Sequence, residues 1–135
     1  MALINEIKFD SAGLVPAVTV DANGRVLMLA YMNRESFEKT VATGKATFYS
    51  RSRKKLWTKG EESGNVLEVT DIFLDCDGDA LVVRVKSGVP ACHTGYASCF
   101  YRKLEKGNWK IIMKREFDPG KVYPVSGKCL QGKEK

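Results

Sequence analysis

Short apolar segments separated by turn residues predict a series of strands in the first part of the chain. The first segment, Leu14–Val20, contains Pro16, which indicates an edge strand or the start of a strand. Asp21–Gly24 is a predicted hairpin turn, because its Asn-Gly pair readily adopts positive φ. Arg25–Met32 is almost continuously apolar, and this pattern predicts a central strand.

A change of period after Met32 predicts a helix from Asn33 to Thr43. Asn33 is suited to cap the N-terminus, and Gly44 is suited to end the helix. Phe37 and Val41 stand four positions apart and are therefore expected on one helix face. The threonines and valine of the last turn are poor helix formers, which weakens this pattern.

Later apolar segments predict further strands, and the tail from residue 118 is expected to be loosely held. The predicted strands are Lys45–Ser50, Val66–Leu74, Ala80–Lys86, Ala97–Leu104 and Trp109–Met113. The pattern predicts an α+β fold: one strand-rich domain over residues 1–135 that contains one helix.

Composition limits the classes of protein to which the chain can belong. The 135 residues fit one domain, and no apolar run is long enough to span a membrane. The N-terminus lacks the pattern of a signal peptide, so a cytoplasmic location is expected. The net charge of +6 suits an anionic ligand, either nucleic acid or a phosphorylated metabolite, although it also fits plain solubility.

An acidic segment after the predicted strand Val66–Leu74 is a candidate site for a hard cation. In an extended chain the carboxylates of Asp75, Asp77 and Asp79 would share one face and would repel one another without a cation. Oxygen ligands of this kind suit Mg²⁺ or Ca²⁺. A helix-loop-helix calcium site is excluded, because glycine and glutamate are missing from the positions where it needs them. The alternative is a plain acidic turn.

Three of the four cysteines lie close together in sequence and are candidate zinc ligands. Cys76, Cys92 and Cys99 would leave one zinc position open, as catalytic sites do, whereas buried apolar thiols are the alternative. His93, the only histidine, follows Cys92 and is either a fourth ligand or, as we favour, a catalytic general acid/base. Cys129 stands apart and is expected to have no role in the site.

A basic cluster provides a candidate surface for phosphate. Guanidinium and ammonium groups bind phosphate oxygens, and an aromatic ring can stack on a base. The candidate substrate-binding residues are Arg51, Arg53, Lys54, Lys55, Trp57 and Lys59. The alternative is a solvated basic loop. The neighbouring loop Gly60–Asn65 is polar, and its glycines would permit close backbone approach to a ligand.

Four ordered motifs together resemble the phosphoribosyl-AMP cyclohydrolase family of histidine biosynthesis. They stand here as VLMLAYMN (26–33), TGKATFYSRSRKKLWTKGEESGN (43–65), DCDGDALVVRV (75–85) and PACHTGYASCF (90–100). The resemblance covers roughly residues 21–100. It implies hydrolysis of the N1–C6 bond of the adenine ring in phosphoribosyl-AMP, the third step of the pathway.

The resemblance also implies which residues hold the metals. Cys76, Cys92 and Cys99 match the zinc ligands, and the family shares that site between the subunits of an obligate-type homodimer. Asp75 and its two acidic neighbours, Asp77 and Asp79, match the magnesium ligands. In some relatives the domain is fused to a helical pyrophosphohydrolase, and this chain is too short after Phe100 to contain one. A monofunctional enzyme is therefore expected.

Two other functions would use parts of the same sequence. A zinc-stabilised nucleic-acid-binding module would use the basic cluster and Trp57, but the aspartates would repel phosphate unless a metal covered them. A zinc deaminase needs a Pro-Cys-x-x-Cys pattern that the chain lacks. We therefore expect a small phosphorylated nucleotide as substrate and neither nucleic acid nor a membrane as partner.

Overall fold

The computed structural model of the protein describes residues 2–116. These residues form a short 3₁₀ helix (Ala2–Glu6), the helix α1 (Arg34–Thr43) and eight strands. The strands are β1 (Val15–Val20), β2 (Val26–Met32), β3 (Thr47–Ser50), β4 (Lys55–Thr58), β5 (Val69–Leu74), β6 (Leu81–Val85), β7 (Arg102–Glu105) and β8 (Asn108–Ile111). The strand-rich α+β class is confirmed, while Cys129 and the tail from residue 118 lie outside the described residues.

The main sheet has the strand order β2-β1-β6-β5, with β1 antiparallel to β2 and parallel to β6. The two strand predictions for the first hairpin are therefore reversed: β2 is at the edge and β1 is inside the sheet. Pro16 is tolerated in β1 because pairing with β6 begins only at Ala17, beyond the proline ring. Continuous apolarity in β2 thus did not indicate a central position.

One face of the main sheet is packed against α1 and the β3–β4 hairpin. Alternate residues of β1 point into this core, and Phe48 of β3 and Trp57 of β4 pack on each other with ring centroids 5.2 Å apart. The hairpin β3–β4 was predicted only in part, because its second strand begins within the basic cluster and has too few apolar residues to show the alternation.

The predicted limits of α1 are confirmed. Asn33 caps its N-terminus by accepting a hydrogen bond from Ser36 N at 2.8 Å, and Gly44 ends it with φ +74°. Phe37 is buried and Val41 is exposed, but both line the same cleft, as expected for residues on one helix face. Thr40 is also buried.

The last two strands form a separate hairpin, β7–β8, whose first strand starts later than predicted. Residues 97–101 lie outside any strand, and two of them, Ser98 and Cys99, bond to the edge strand β2. Ser98 Oγ donates to Val26 O at 2.7 Å, and Cys99 N donates to Leu27 O at 2.6 Å. No helix of residues 2–116 is long and apolar enough to cross a membrane.

Candidate metal and catalytic site

The acidic segment is a tight turn between β5 and β6 and not the extended chain that was assumed, although its three carboxylates do converge. Asp75 N donates to Ala80 O at 3.1 Å, Gly78 N donates to Asp75 O at 3.0 Å, and Asp79 N donates to Asp75 Oδ1 at 2.9 Å. The turn brings carboxylate oxygens of Asp75, Asp77 and Asp79 within 4.8 Å of one another. Adjacent oxygen ligands of an octahedral Mg²⁺ ion lie about 2.9 Å apart, so these carboxylates would have to draw closer together to bind one ion.

The charges in this turn are crowded. Desolvation raises the pKa of Asp75, but hydrogen bonds, above all from the backbone N–H of Asp79, leave its pKa below the ordinary value. A hydrogen bond to the Asp75 carboxylate and the negative charges of Asp75 and Asp77 raise the pKa of Asp79. A divalent cation among the three carboxylates would remove this repulsion.

The N-terminal segment contacts the acidic turn at Gly78. Lys8 N donates to Gly78 O at 2.7 Å, and a Cβ on Gly78 would lie 2.7 Å from Glu6 O. Gly78 also has φ +76°, a conformation that glycine adopts without strain. The segment is anchored by the buried side chains of Ile4 and Ile7, which sequence analysis did not connect with the site.

Cys92, His93 and Cys99 lie on the loop between β6 and β7. Two hydrogen bonds close a narrow turn in this loop: Cys92 N donates to Tyr96 O at 3.1 Å, and Gly95 N donates to Cys92 O at 3.0 Å. His93 is partly buried within that turn. The Cys92 Sγ atom lies 2.8 Å from the Thr94 hydroxyl, a neighbour that sequence analysis missed although it stands two positions from the cysteine.

Within one chain, the register of the main sheet keeps Cys76 away from Cys99. Leu74 on β5, Leu81 on β6, Ala17 on β1 and Ala30 on β2 form one row across the sheet. Cys76 follows Leu74, beyond the end of β5. Cys99 bonds to Leu27 of β2, which lies on the other edge of the sheet. Leu27 is also displaced from the row along the strand direction, away from the end where Cys76 lies.

The separation follows from strand geometry. Leu27 lies about 14 Å across the sheet and about 10 Å along it from Leu74, given strand spacings of ~4.8 Å and a rise of ~3.3 Å per residue. Two thiolates on one zinc ion lie at most about 4.6 Å apart. Accordingly, among residues 2–116 the acidic triad is a converging group of potential ligands, and the three cysteines of one chain are not.

The basic cluster lies at the tip of the β3–β4 hairpin. Arg51, Arg53, Lys54 and Lys55 are exposed there, as a phosphate-binding surface requires. The guanidinium carbon of Arg51 lies 4.2 Å from the centroid of the Tyr31 ring, and this cation–π contact limits its freedom.

Trp57 and Lys59 lie deeper than the sequence indicated. The Trp57 side chain belongs to the core and packs on Phe48, so it does not form the exposed stacking surface that was predicted. Lys59 is also buried. In the polar loop 60–65, the backbone of Asn65 packs directly on Gly60. A Cβ on Gly60 would lie 2.3 Å from the Asn65 carbonyl carbon, so this position requires glycine for packing.

Comparisons with known proteins agree on one family. The family model described as phosphoribosyl-AMP cyclohydrolase matches residues 28–101. A phosphoribosyl-AMP cyclohydrolase of Solibacter usitatus is 58% identical over 115 residues, which cover 84% of this chain and 91% of the relative. Another, from Pelotomaculum thermopropionicum, is 52% identical over 122 residues, covering 89% and 95% respectively.

Proposed function

The chain belongs to the phosphoribosyl-AMP cyclohydrolase family, and on this premise we propose how its residues carry out the reaction. The enzyme hydrolyses the N1–C6 bond of the adenine ring in 1-(5-phosphoribosyl)-AMP. The product is the phosphoribosyl-formimino-aminoimidazole-carboxamide ribotide of histidine biosynthesis. Membership of this family favours an enzyme over a zinc-stabilised nucleic-acid-binding module.

The catalytic centre is a zinc site shared by two copies of the chain in a homodimer. Cys92 and Cys99 of one copy and Cys76 of the other supply the three thiolates. The observation that carries this proposal is the sheet register, because it separates Cys76 from Cys99 by far more than one zinc ion can bridge. The soft donor set fits zinc and leaves one position open.

Exposed apolar side chains near Cys76 suit a contact between two copies of the chain. Phe73, three positions before Cys76, is 44% exposed, and Val82, its partner on β6, is 36% exposed on the same face of the sheet. Burying such side chains is favourable by roughly 25 cal/mol per Å² of apolar surface. A dimer contact at the end of β5 would thus carry Cys76 towards the partner's loop.

The chemistry is divided between the metal and the chain. When bound, zinc would supply hydroxide at neutral pH to attack the electron-poor C6. His93, in the same turn as Cys92, moves a proton as the N1–C6 bond breaks. The Thr94 hydroxyl orients the Cys92 thiolate through their 2.8 Å contact.

The substrate phosphates have two candidate binding groups. The carboxylates of Asp75, Asp77 and Asp79 would hold Mg²⁺, which binds phosphate oxygens. The exposed cations at the tip of the β3–β4 hairpin, with Arg51 oriented by Tyr31, would bind a phosphate directly. A cytoplasmic location suits a site built on thiolates, since a reducing compartment keeps them unpaired.

A turnover assay with metal analysis of the same sample tests this function. The protein with zinc and magnesium should open the ring of phosphoribosyl-AMP, and the Cys99→Ala variant should lose zinc and at least about a hundredfold in turnover. The matched control is Cys129→Ala, which removes a thiol from outside the proposed site and should leave both quantities unchanged. Near-normal turnover by Cys99→Ala, or turnover that survives complete removal of zinc, contradicts the proposal.

A further inference from the structure

A cleft of about 200 Å³ lies next to Cys99. It is lined by Cys99, Phe100, Arg102 and Trp109. The Phe100 and Trp109 side chains are 50% and 68% exposed, which is unusual for aromatic residues beside a buried loop. Two aromatic rings and a guanidinium group around an open cleft form a common arrangement for a small aromatic anion.

The β7–β8 hairpin directs these side chains towards the cleft. Its register pairs Arg102 with Ile111 and Leu104 with Trp109, so these four side chains share one face. The other face is polar and carries the ion pair of Lys110 Nζ with Glu105 Oε1 at 3.7 Å. Arg102 is therefore the charged residue on an otherwise apolar face of the hairpin.

A stack of side chains connects Arg102 with the loop of the zinc ligands. The Arg102 guanidinium lies 5.4 Å from the Tyr101 ring centroid, and Tyr101 is stacked on Tyr96 with centroids 3.8 Å apart. Arg115 lies 5.6 Å from the centroid of the Tyr96 ring. Because Tyr96 O accepts the hydrogen bond from Cys92 N, the stack fixes Arg102 relative to Cys92.

We propose that this cleft binds the purine ring of the substrate. The ring of an N1-substituted adenine is electron-poor and stacks well on the electron-rich faces of Trp109 and Phe100. Arg102 binds one of the phosphates, and the nearness of Cys99 brings C6 of the ring to the zinc site. The inference rests on the proposed function, which it deepens by naming the residues that hold the base.

Tryptophan fluorescence tests the cleft directly, since the chain has two tryptophans and Trp57 is only 8% exposed. The zinc-loaded protein is mixed with phosphoribosyl-AMP while emission and ring opening are followed together. Emission should fall before the ring opens and should recover as substrate is consumed. In Trp109→Phe the fall should vanish. Turnover of the unsubstituted protein without a change in emission overturns the inference.

Kinetics of three variants separate base binding from a structural role. Trp109→Ala should raise KM about tenfold with little change in kcat, and Trp109→Phe should restore KM because its ring still stacks. Leu104→Ala is the matched control: it shares the hairpin face but does not line the cleft, so its KM should be unchanged. Equal KM changes in Leu104→Ala and Trp109→Ala overturn the inference.

Two remaining outcomes are also informative. If the hairpin face is covered by a second copy, both alanine variants should sediment as monomers, and this result overturns the inference. If the unsubstituted protein does not open the ring at all, the proposed function fails. A fall in emission on mixing that Trp109→Phe abolishes would still support the cleft.

Discussion

Gly78 couples the acidic turn, the proposed magnesium site, to a part of the chain that precedes the family motifs. Its carbonyl accepts the hydrogen bond from Lys8 N, and Glu6 O occupies the space where a side chain would begin. The acidic residues were recognisable from the sequence by their alternate spacing. The role of Gly78 was not, because the atoms that exclude a side chain belong to a segment some seventy residues away in sequence.

The substitution Gly78→Ala tests this coupling. Gly24→Ala is the matched control, since Gly24 also has positive φ but open space around it. Gly24→Ala should lose about 1–2 kcal/mol of unfolding free energy from the left-handed backbone, and Gly78→Ala should lose more because its Cβ also meets Glu6 O. Only Gly78→Ala should also weaken Mg²⁺ binding, by about tenfold, because the turn must move away from Glu6. Calorimetric Mg²⁺ affinity that is equal in the two variants would contradict the coupling.

At the scale of elements, α1 is held against β3 by Thr40, a residue that its helix propensity alone disfavours. Its buried hydroxyl donates to Ser36 O at 2.8 Å and accepts the hydrogen bond from Thr47 N at 3.0 Å. The low helix propensity of threonine weakened the prediction of α1. In the structure, however, Thr40 joins α1 to β3, the strand that precedes the basic cluster. Propensity describes an isolated helix and cannot include such a tertiary contact.

Replacing Thr40 by the isosteric valine should leave Thr47 N buried without its acceptor. The expected loss is about 1–3 kcal/mol of unfolding free energy, measured by urea denaturation. Thr43→Val is the control, because the Thr43 side chain is exposed and water can replace its contacts; its expected change is within about 0.5 kcal/mol. Similar losses in the two variants would show that the change in propensity, and not the buried hydroxyl, determines the effect.

The sequence predicted elements well where a local signal exists. The limits of α1 followed from Asn33 and Gly44, whose capping conformations depend only on neighbouring residues. The order of strands did not follow, because the apolar side chains of β2 are buried in the core shared with α1 and β3, which an edge strand reaches without a second neighbouring strand. Similarly, Trp57 was identified as an aromatic residue in a basic segment, but its burial depends on Phe48 in the paired strand.

At the scale of the whole molecule, residues 2–116 of one chain do not bring the three candidate zinc ligands together. The acidic turn with Cys76 and the loop with Cys92 and Cys99 are at opposite ends of the sheet, a separation that the spacing of cysteines in the sequence does not reveal. A twofold dimer that brings one copy's turn to the other's loop forms two equivalent sites. We propose that the two subunits share the zinc site in this way.

Complementation between two inactive variants tests that claim most directly. Cys76→Ala and Cys92→Ala chains with different affinity tags are produced together, and the mixed dimer is purified through both tags. Each variant alone should lack zinc and turnover, whereas the mixed dimer should regain one complete site, with about half the wild-type zinc content and turnover per chain. A purified mixed dimer that stays without zinc and without activity would contradict the shared site, since ligands supplied by one chain cannot complement.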